Sequence, residues 1–185
     1  GWMPVKHGNG HIPLWSTDDR LPPSLREAVE SFLLSCAIRR LRGQGTEHSS
    51  MLIHVSRFTS VQRHVKEDVS QYVNGLRQKL SRRIGHEDVL VRLKCLWEED
   101  FIPSTHAVRT ARLGNIPSAD PTWSAVEEAL VDVIEDIDVR MINGTAKDAL
   151  DYERNKSRGL KVIAIGGDKL ARGLTLYGLC TSYFL

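Results

Sequence analysis

The stretch Gly159–Leu185, GLKVIAIGGDKLARGLTLYGLCTSYFL, decides the fold. Val162, Ile163, Ala164 and Ile165 form a short apolar run closed by Gly166-Gly167. A run of that length bounded by a turn predicts a strand buried on both faces. The two glycines permit close approach of a backbone or a phosphate. A short helical turn follows, then Arg172-Gly173, then a second apolar run over Leu179–Leu185, read as a further buried strand.

A comparable run, Met51-Leu52-Ile53-His54-Val55, stands earlier in the chain and ends in Ser56-Arg57. With DVRMIN at 138–143, strands are expected near 51–56, 138–143, 161–166 and 179–184. Helical patterns separate them, so the expected class is α/β: a mainly parallel sheet flanked by helices. Ligands of open α/β sheets bind at the carboxyl ends of strands. That makes Ser56 and Arg57 site candidates, whereas His54 reads as a core histidine.

The helices follow from apolar spacing. Leu25, Ala28, Val29, Phe32, Leu33, Cys36 and Ala37 line one face of a first helix, with Ser24 and Glu27 spaced for a capping box. Arg39, Arg40 and Arg42 suit its last turn, and Gly43 and Gly45 end it. Thr59 and Gln62 suggest a second box ahead of the stripe Val61, Val65, Val69, Tyr72, Val73, Leu76, Leu80. A third helix is expected over His86–Phe101. Three prolines and no sustained period between 102 and 121 predict a loop or an irregular insertion. Asp120-Pro121, or Ser124 with Glu127, is expected to open a last helix carrying Val126, Ala129, Leu130, Val133, Ile134 and Ile137. Residues 1–20 show no apolar period and read as an extended arm. The remaining 21–185 form the lobe, with 84–122 as a helical or irregular insertion.

The chain has 185 residues, 41% hydrophobic and 26% charged, with a formal net charge of +2, as expected of an ordinary globular domain. Charge is uneven. Arg57–Arg83 holds seven Lys/Arg against two Asp/Glu, and Glu98–Glu153 holds thirteen Asp/Glu against four Lys/Arg. This is compatible with an anionic partner or with two solvated helix faces. Cys36, Cys95 and Cys180 lack CxxC spacing and read as buried, reduced thiols. No apolar stretch approaches the ~20 residues of a membrane span, and no signal peptide is visible, so a cytoplasmic protein without a membrane partner is expected.

Several chemistries lack their motifs. The phosphate cradle GxxxxGK[ST] is absent, and Gly166-Gly167-Asp168-Lys169 has the wrong spacing for it. Asp138, Asp148, Asp151 and Glu153 are available to a metal nuclease, but their spacing is not diagnostic. No zinc pattern and no GxSxG elbow occur. The positive signal pairs Ser56-Arg57 with Gly166-Gly167-Asp168-Lys169-Leu170-Ala171-Arg172-Gly173-Leu174-Thr175. Backbone amides after a strand receive phosphate, and Arg172 is suited to a bidentate anion contact. Equally, Asp168 could cap the short helix and Arg172 could sit in an internal salt bridge.

IAIGGDKLARGLTL resembles motif V of superfamily-two helicases, MLIHVSR the strand of motif IV, and VRMING the strand between them. LPPSLREAV, HSSMLIHVSRFTSVQ and the closing block together are similar to the Z1 (Z-one) domain family, from about Trp2 to Leu185. That family is described as an endonuclease-type domain accompanying helicase ATPase modules in bacterial restriction and phage defence. The resemblance implies a RecA-like second lobe of an ATP-dependent, DNA-acting protein. ATP and magnesium would be bound only in the full-length parent, together with a first RecA-like lobe. Gly167-Asp168 stand at the helicase Thr-Asp, Arg172-Gly173 at its Arg-Gly, and Thr175 at its later Asp. Ser56, Arg57, Gly166, Gly167, Asp168, Lys169, Arg172, Gly173 and Thr175 would then line a nucleic-acid and interlobe edge. Where the family pattern has serine and glutamate, this chain has Ala171 and Tyr177. The arginine-rich motif VI would follow Leu185, so the chain reads as a fragment inactive by itself. The alternatives are a metal-dependent endonuclease and a non-catalytic interaction lobe.

Overall fold

All six residues of Lys161–Gly166 are buried, and the strand they form lies inside a four-stranded sheet. The computed structural model describes residues 2–17, 19–111, 120–142, 151–167 and 175–184. In chain order the elements are α1 (Pro23–Arg39), β1 (Ser49–His54), α2 (Thr59–Arg82), α3 (Glu87–Leu96), α4 (Ile102–Thr110), α5 (Trp123–Asp136), β2 (Ile137–Met141), β3 (Lys161–Gly166) and β4 (Leu179–Phe184). The strands stand in the order β2-β3-β1-β4 and every pairing is parallel. The α/β class and the parallel sheet agree with the apolar runs, because parallel strands need crossovers and are covered on both faces.

Alternation along the inner strands divides the core. Met51, Ile53, Ile163 and Ile165 join the buried faces of α1, α2, α3 and α5 in one large cluster. Val162 and Ala164 point the other way and form a smaller cluster with Ile142, Tyr152 and Leu160. Each fully buried Ile contributes roughly 1.5–3 kcal/mol of transfer free energy.

The helix faces match their stripes, but the starts do not. α1 begins at Pro23, whose missing amide needs no partner in the first turn, and no side chain caps it. Ser24 therefore makes no capping box, and its hydroxyl meets Tyr183 Oη at 2.9 Å. Beyond α1 the chain widens into a turn over Arg40–Gln44, with Gly43 at φ 79°. Arg39 donates to the His48 carbonyl at 3.3 Å and Arg40 pairs with Asp132 at 2.9 Å, so both are engaged within the fold.

The first part of the expected loop or irregular insertion, Ile102–Thr110, is instead helical. A wider turn over Trp97–Phe101 hands the chain to α4, and Pro103 falls in the first turn of α4, where a missing amide costs nothing. The first turn of α5 is capped by Thr122, whose Oγ1 accepts from Ala125 N at 3.3 Å, in place of Asp120 or Ser124. Asp120 accepts from Arg109 at 2.7 Å instead. Ile137, expected at the end of this helix, is the first residue of β2.

β4 differs from its expectation as a buried strand. It is an edge strand with Leu179 and Phe184 exposed, since only one of its sides pairs, with β1. The cysteines also differ among themselves. Cys36 is buried, with its thiol pushed up to about 12 chiefly by burial, whereas Cys95 is exposed on α3 and Cys180 is half-buried. No described helix is long and apolar enough to cross a membrane.

Candidate phosphate-binding edge

β1 and β3 run side by side, so the residues that follow them emerge together. Val55 N donates to the Gly166 carbonyl at 3.0 Å, carrying the pairing one step past β1. Ser56 comes next and is 5% exposed, and Arg57 is exposed. Gly167, buried, passes directly beneath them. A methyl group on it would overlap the Ser56 carbonyl oxygen and come within 2.8 Å of Gln62 Nε2. Only glycine lets the β3 exit run this close to the β1 exit.

α2 takes its start from this junction. The Thr59–Gln62 box does not form. Ser56 Oγ accepts from Phe58 N at 3.2 Å, and Gln62, 5% exposed, turns back so that its Nε2 donates to the Ser56 carbonyl at 2.7 Å. The amide oxygen of Gln62 is buried without a hydrogen-bond partner. Such an acceptor costs about 1–3 kcal/mol and marks a place where packing was not optimised for stability alone.

The N-terminal arm closes the other side. Trp2 is 4% exposed and belongs to the large core cluster, and His11 donates to its carbonyl at 2.8 Å. Between these anchors His7 reaches the strand end. His7 Nδ1 lies 2.6 Å from the Pro4 carbonyl, and His7 Nε2 lies 2.6 Å from Ser56 Oγ. A carbonyl only accepts, so Nδ1 carries a proton, and in the neutral ring the Ser56 hydroxyl donates to Nε2. The Ser60 hydroxyl donates to the Asn9 carbonyl and fastens the arm to α2. The result is an open depression lined, among the described residues, by Val5, Lys6, His7, Gly8, Ser56, Arg57 and Phe58, which supply two cations and no carboxylate. The Arg57 guanidinium lies over the Phe58 ring, 5.0 Å from its centroid.

Of the expected site residues, Ser56, Arg57, Gly166 and Gly167 are brought together here. Asp168, Lys169, Arg172 and Gly173 lie outside the described residues. Thr175 is exposed and heads the segment Leu176–Gly178, which leads to the opposite end of the sheet. His7 and Lys6 were missed by the sequence reading. Asp138 pairs with Arg140 at 2.7 Å and Asp151 with Arg154 at 3.2 Å. Asp148 lies outside the described residues. Among the described residues no three His, Cys, Asp or Glu side chains gather as metal ligands.

The Z1 domain model matches residues 24–185. The chain belongs to the Z1 domain family. The match covers every helix and strand except the first residue of α1, and it leaves out the arm that carries Lys6 and His7. No curated protein and no solved structure matches the chain.

Buried charge elsewhere in this Z1 domain is internally paired. Glu30, 4% exposed, accepts from Tyr72 Oη at 2.7 Å and from Arg92 at 2.8 and 3.1 Å. Burial, reinforced by Glu30, pushes the Tyr72 phenol up. Asp68 accepts from Arg20 at 3.0 Å. These acids sit on apolar helix stripes and tie α1, α2, α3 and the arm together.

Proposed function

We propose that this Z1 domain is the DNA-contacting part of an ATP-dependent, helicase-like protein acting in bacterial restriction or phage defence. The carboxyl-end edge of β1 and β3 takes DNA phosphates. ATP, magnesium and a first RecA-like lobe belong to the rest of that protein, and the chain's kinship to RecA-like lobes is part of the proposal. The supporting observation is the junction itself: Ser56, Arg57 and Gly167 meet where two central parallel strands end, beside Lys6. Parallel sheets collect ligands at that end. Arg57 and Lys6 supply charge for phosphate oxygens, and Gly167 lets the β3 exit pack against the Ser56 carbonyl.

Anisotropy of a labelled oligonucleotide, titrated at several salt concentrations, tests this. The affinity is expected to fall steeply with salt. Arg57→Ala is expected to weaken binding across sequences and to make the salt slope shallower by about one. Absence of binding at low salt would overturn the proposal and favour a docking lobe. Binding that ignores Arg57 would overturn the assignment of the edge.

A further inference from the structure

We infer that the N-terminal arm is part of this phosphate site, and that His7 makes anion binding there depend on a proton. The inference rests on the phosphate-edge reading above and adds its regulation. In the neutral ring the hydrogen-bond accounting is closed. His7 Nδ1–H goes to the Pro4 carbonyl, the single Ser56 hydroxyl proton goes to His7 Nε2, and one Ser56 lone pair takes Phe58 N–H. Ser56 then has no proton left for an incoming phosphate oxygen. Protonation at Nε2 reverses the contact. Nε2–H donates to the free lone pair of Ser56, and the Ser56 hydroxyl proton is released to point outward. The same proton adds a positive charge beside Lys6 and Arg57.

The charged and titratable groups around His7 among the described residues come from both sides of the depression. From the arm they are Lys6 and His11, the latter with its ring 5.3 Å away. From the loop between β1 and α2 there is Arg57, next to Phe58, whose ring lies 5.7 Å from that of His7. Among the described residues no carboxylate lines the depression. An anionic ligand bound beside His7 stabilises the charged ring, so binding and protonation favour each other. The ligand class is a phosphodiester backbone, whose oxygens accept from Ser56, Arg57 and Lys6 together.

The test is oligonucleotide affinity of the whole chain between about pH 5.5 and 8 at fixed salt, the range in which histidines change charge. Uptake of one proton strengthens binding by up to about tenfold per pH unit as pH falls. His7→Gln, which keeps a neutral polar side chain, is expected to flatten that dependence while His11→Gln retains it. Thermal melting of each variant reports any structural loss separately. If His7→Gln binds in an Arg57-dependent way with the wild-type pH profile, the inference fails and the phosphate-edge reading stands. If no Arg57-dependent binding occurs at any pH, the phosphate-edge reading fails and the inference falls with it.

Discussion

Lys161 and Ser56 stand at opposite ends of the same pair of central strands, and their surroundings differ in kind. At the amino end Lys161, 4% exposed, donates to the carbonyls of Gly45 at 2.5 Å and Arg158 at 3.0 Å. Leu160 N donates to His48 Nδ1 at 2.9 Å, and Ser50 donates to the Tyr177 carbonyl at 2.8 Å while accepting a hydrogen bond from Tyr152 Oη at 2.7 Å. Gly178, at φ 63°, is packed so that a methyl group would overlap the His48 carbonyl. These polar groups bind chain segments to one another. At the carboxyl end the arm contact leaves Arg57 and Lys6 facing an open depression, and the buried Gln62 amide oxygen has no partner. One end holds the crossovers in place, and the other carries the edge proposed above to take phosphates.

Substitutions at the amino end test this contrast most severely. Gly178→Ala combines a left-handed backbone with a clash against a carbonyl, and is expected to cost more than about 3 kcal/mol. Loss of the cooperative denaturation transition would register it. Lys161→Met removes the shared donor from buried carbonyls and should cost about 2 kcal/mol. Its oligonucleotide affinity, measured below the new melting temperature, should equal that of the wild type. A selective loss of affinity in Lys161→Met would break the division between the two ends.

At the carboxyl end the order of effects reverses. Gly167→Ala must displace the Ser56 carbonyl or the Gln62 amide. It should lower oligonucleotide affinity while costing about 1–2 kcal/mol in chemical denaturation. The smallest effect belongs to the Arg109–Asp120 pair. The Arg109 hydrogen bond holds the Asp120 carboxyl below its ordinary value. Its folded pKa lies under its unfolded one, so the pair's contribution is present above the unfolded carboxylate range near pH 4 and is lost as pH falls through the folded value. Asp120→Asn should cost about 0.5–1 kcal/mol at neutral pH and nothing in strong acid. Paired urea titrations at the two pH values measure the difference.

The sheet was legible because the VIAI and MLIHV runs are short, apolar and bounded, and helical stripes separate them, the pattern that buried parallel strands leave. The helix stripes were legible for the same local reason. The capping boxes at Ser24 and Thr59 were misread because tertiary partners claimed their members: Tyr183 holds Ser24, and the Ser56 carbonyl holds Gln62. Pro103 suggested a loop because a proline in the first turn of a helix and a proline in a loop look alike without the wider turn that precedes it. Leu179 and Phe184 suggested a buried strand, since apolar composition does not distinguish an inner strand from an edge. Ser56, Arg57 and Gly167 could be placed together from the sequence because each stands at the end of a strand. His7 was not, because its partner is 49 residues away and the glycine-rich arm carries no period that would point to it.

Hydrogen–deuterium exchange of the chain with and without a saturating oligonucleotide tests the contrast most directly. The account predicts slowed exchange over residues 5–9, 56–62 and 166–167, and unchanged exchange over 45–50 and 158–161. Protection confined to the amino-end segments, with none around Ser56 and Gly167, would contradict it.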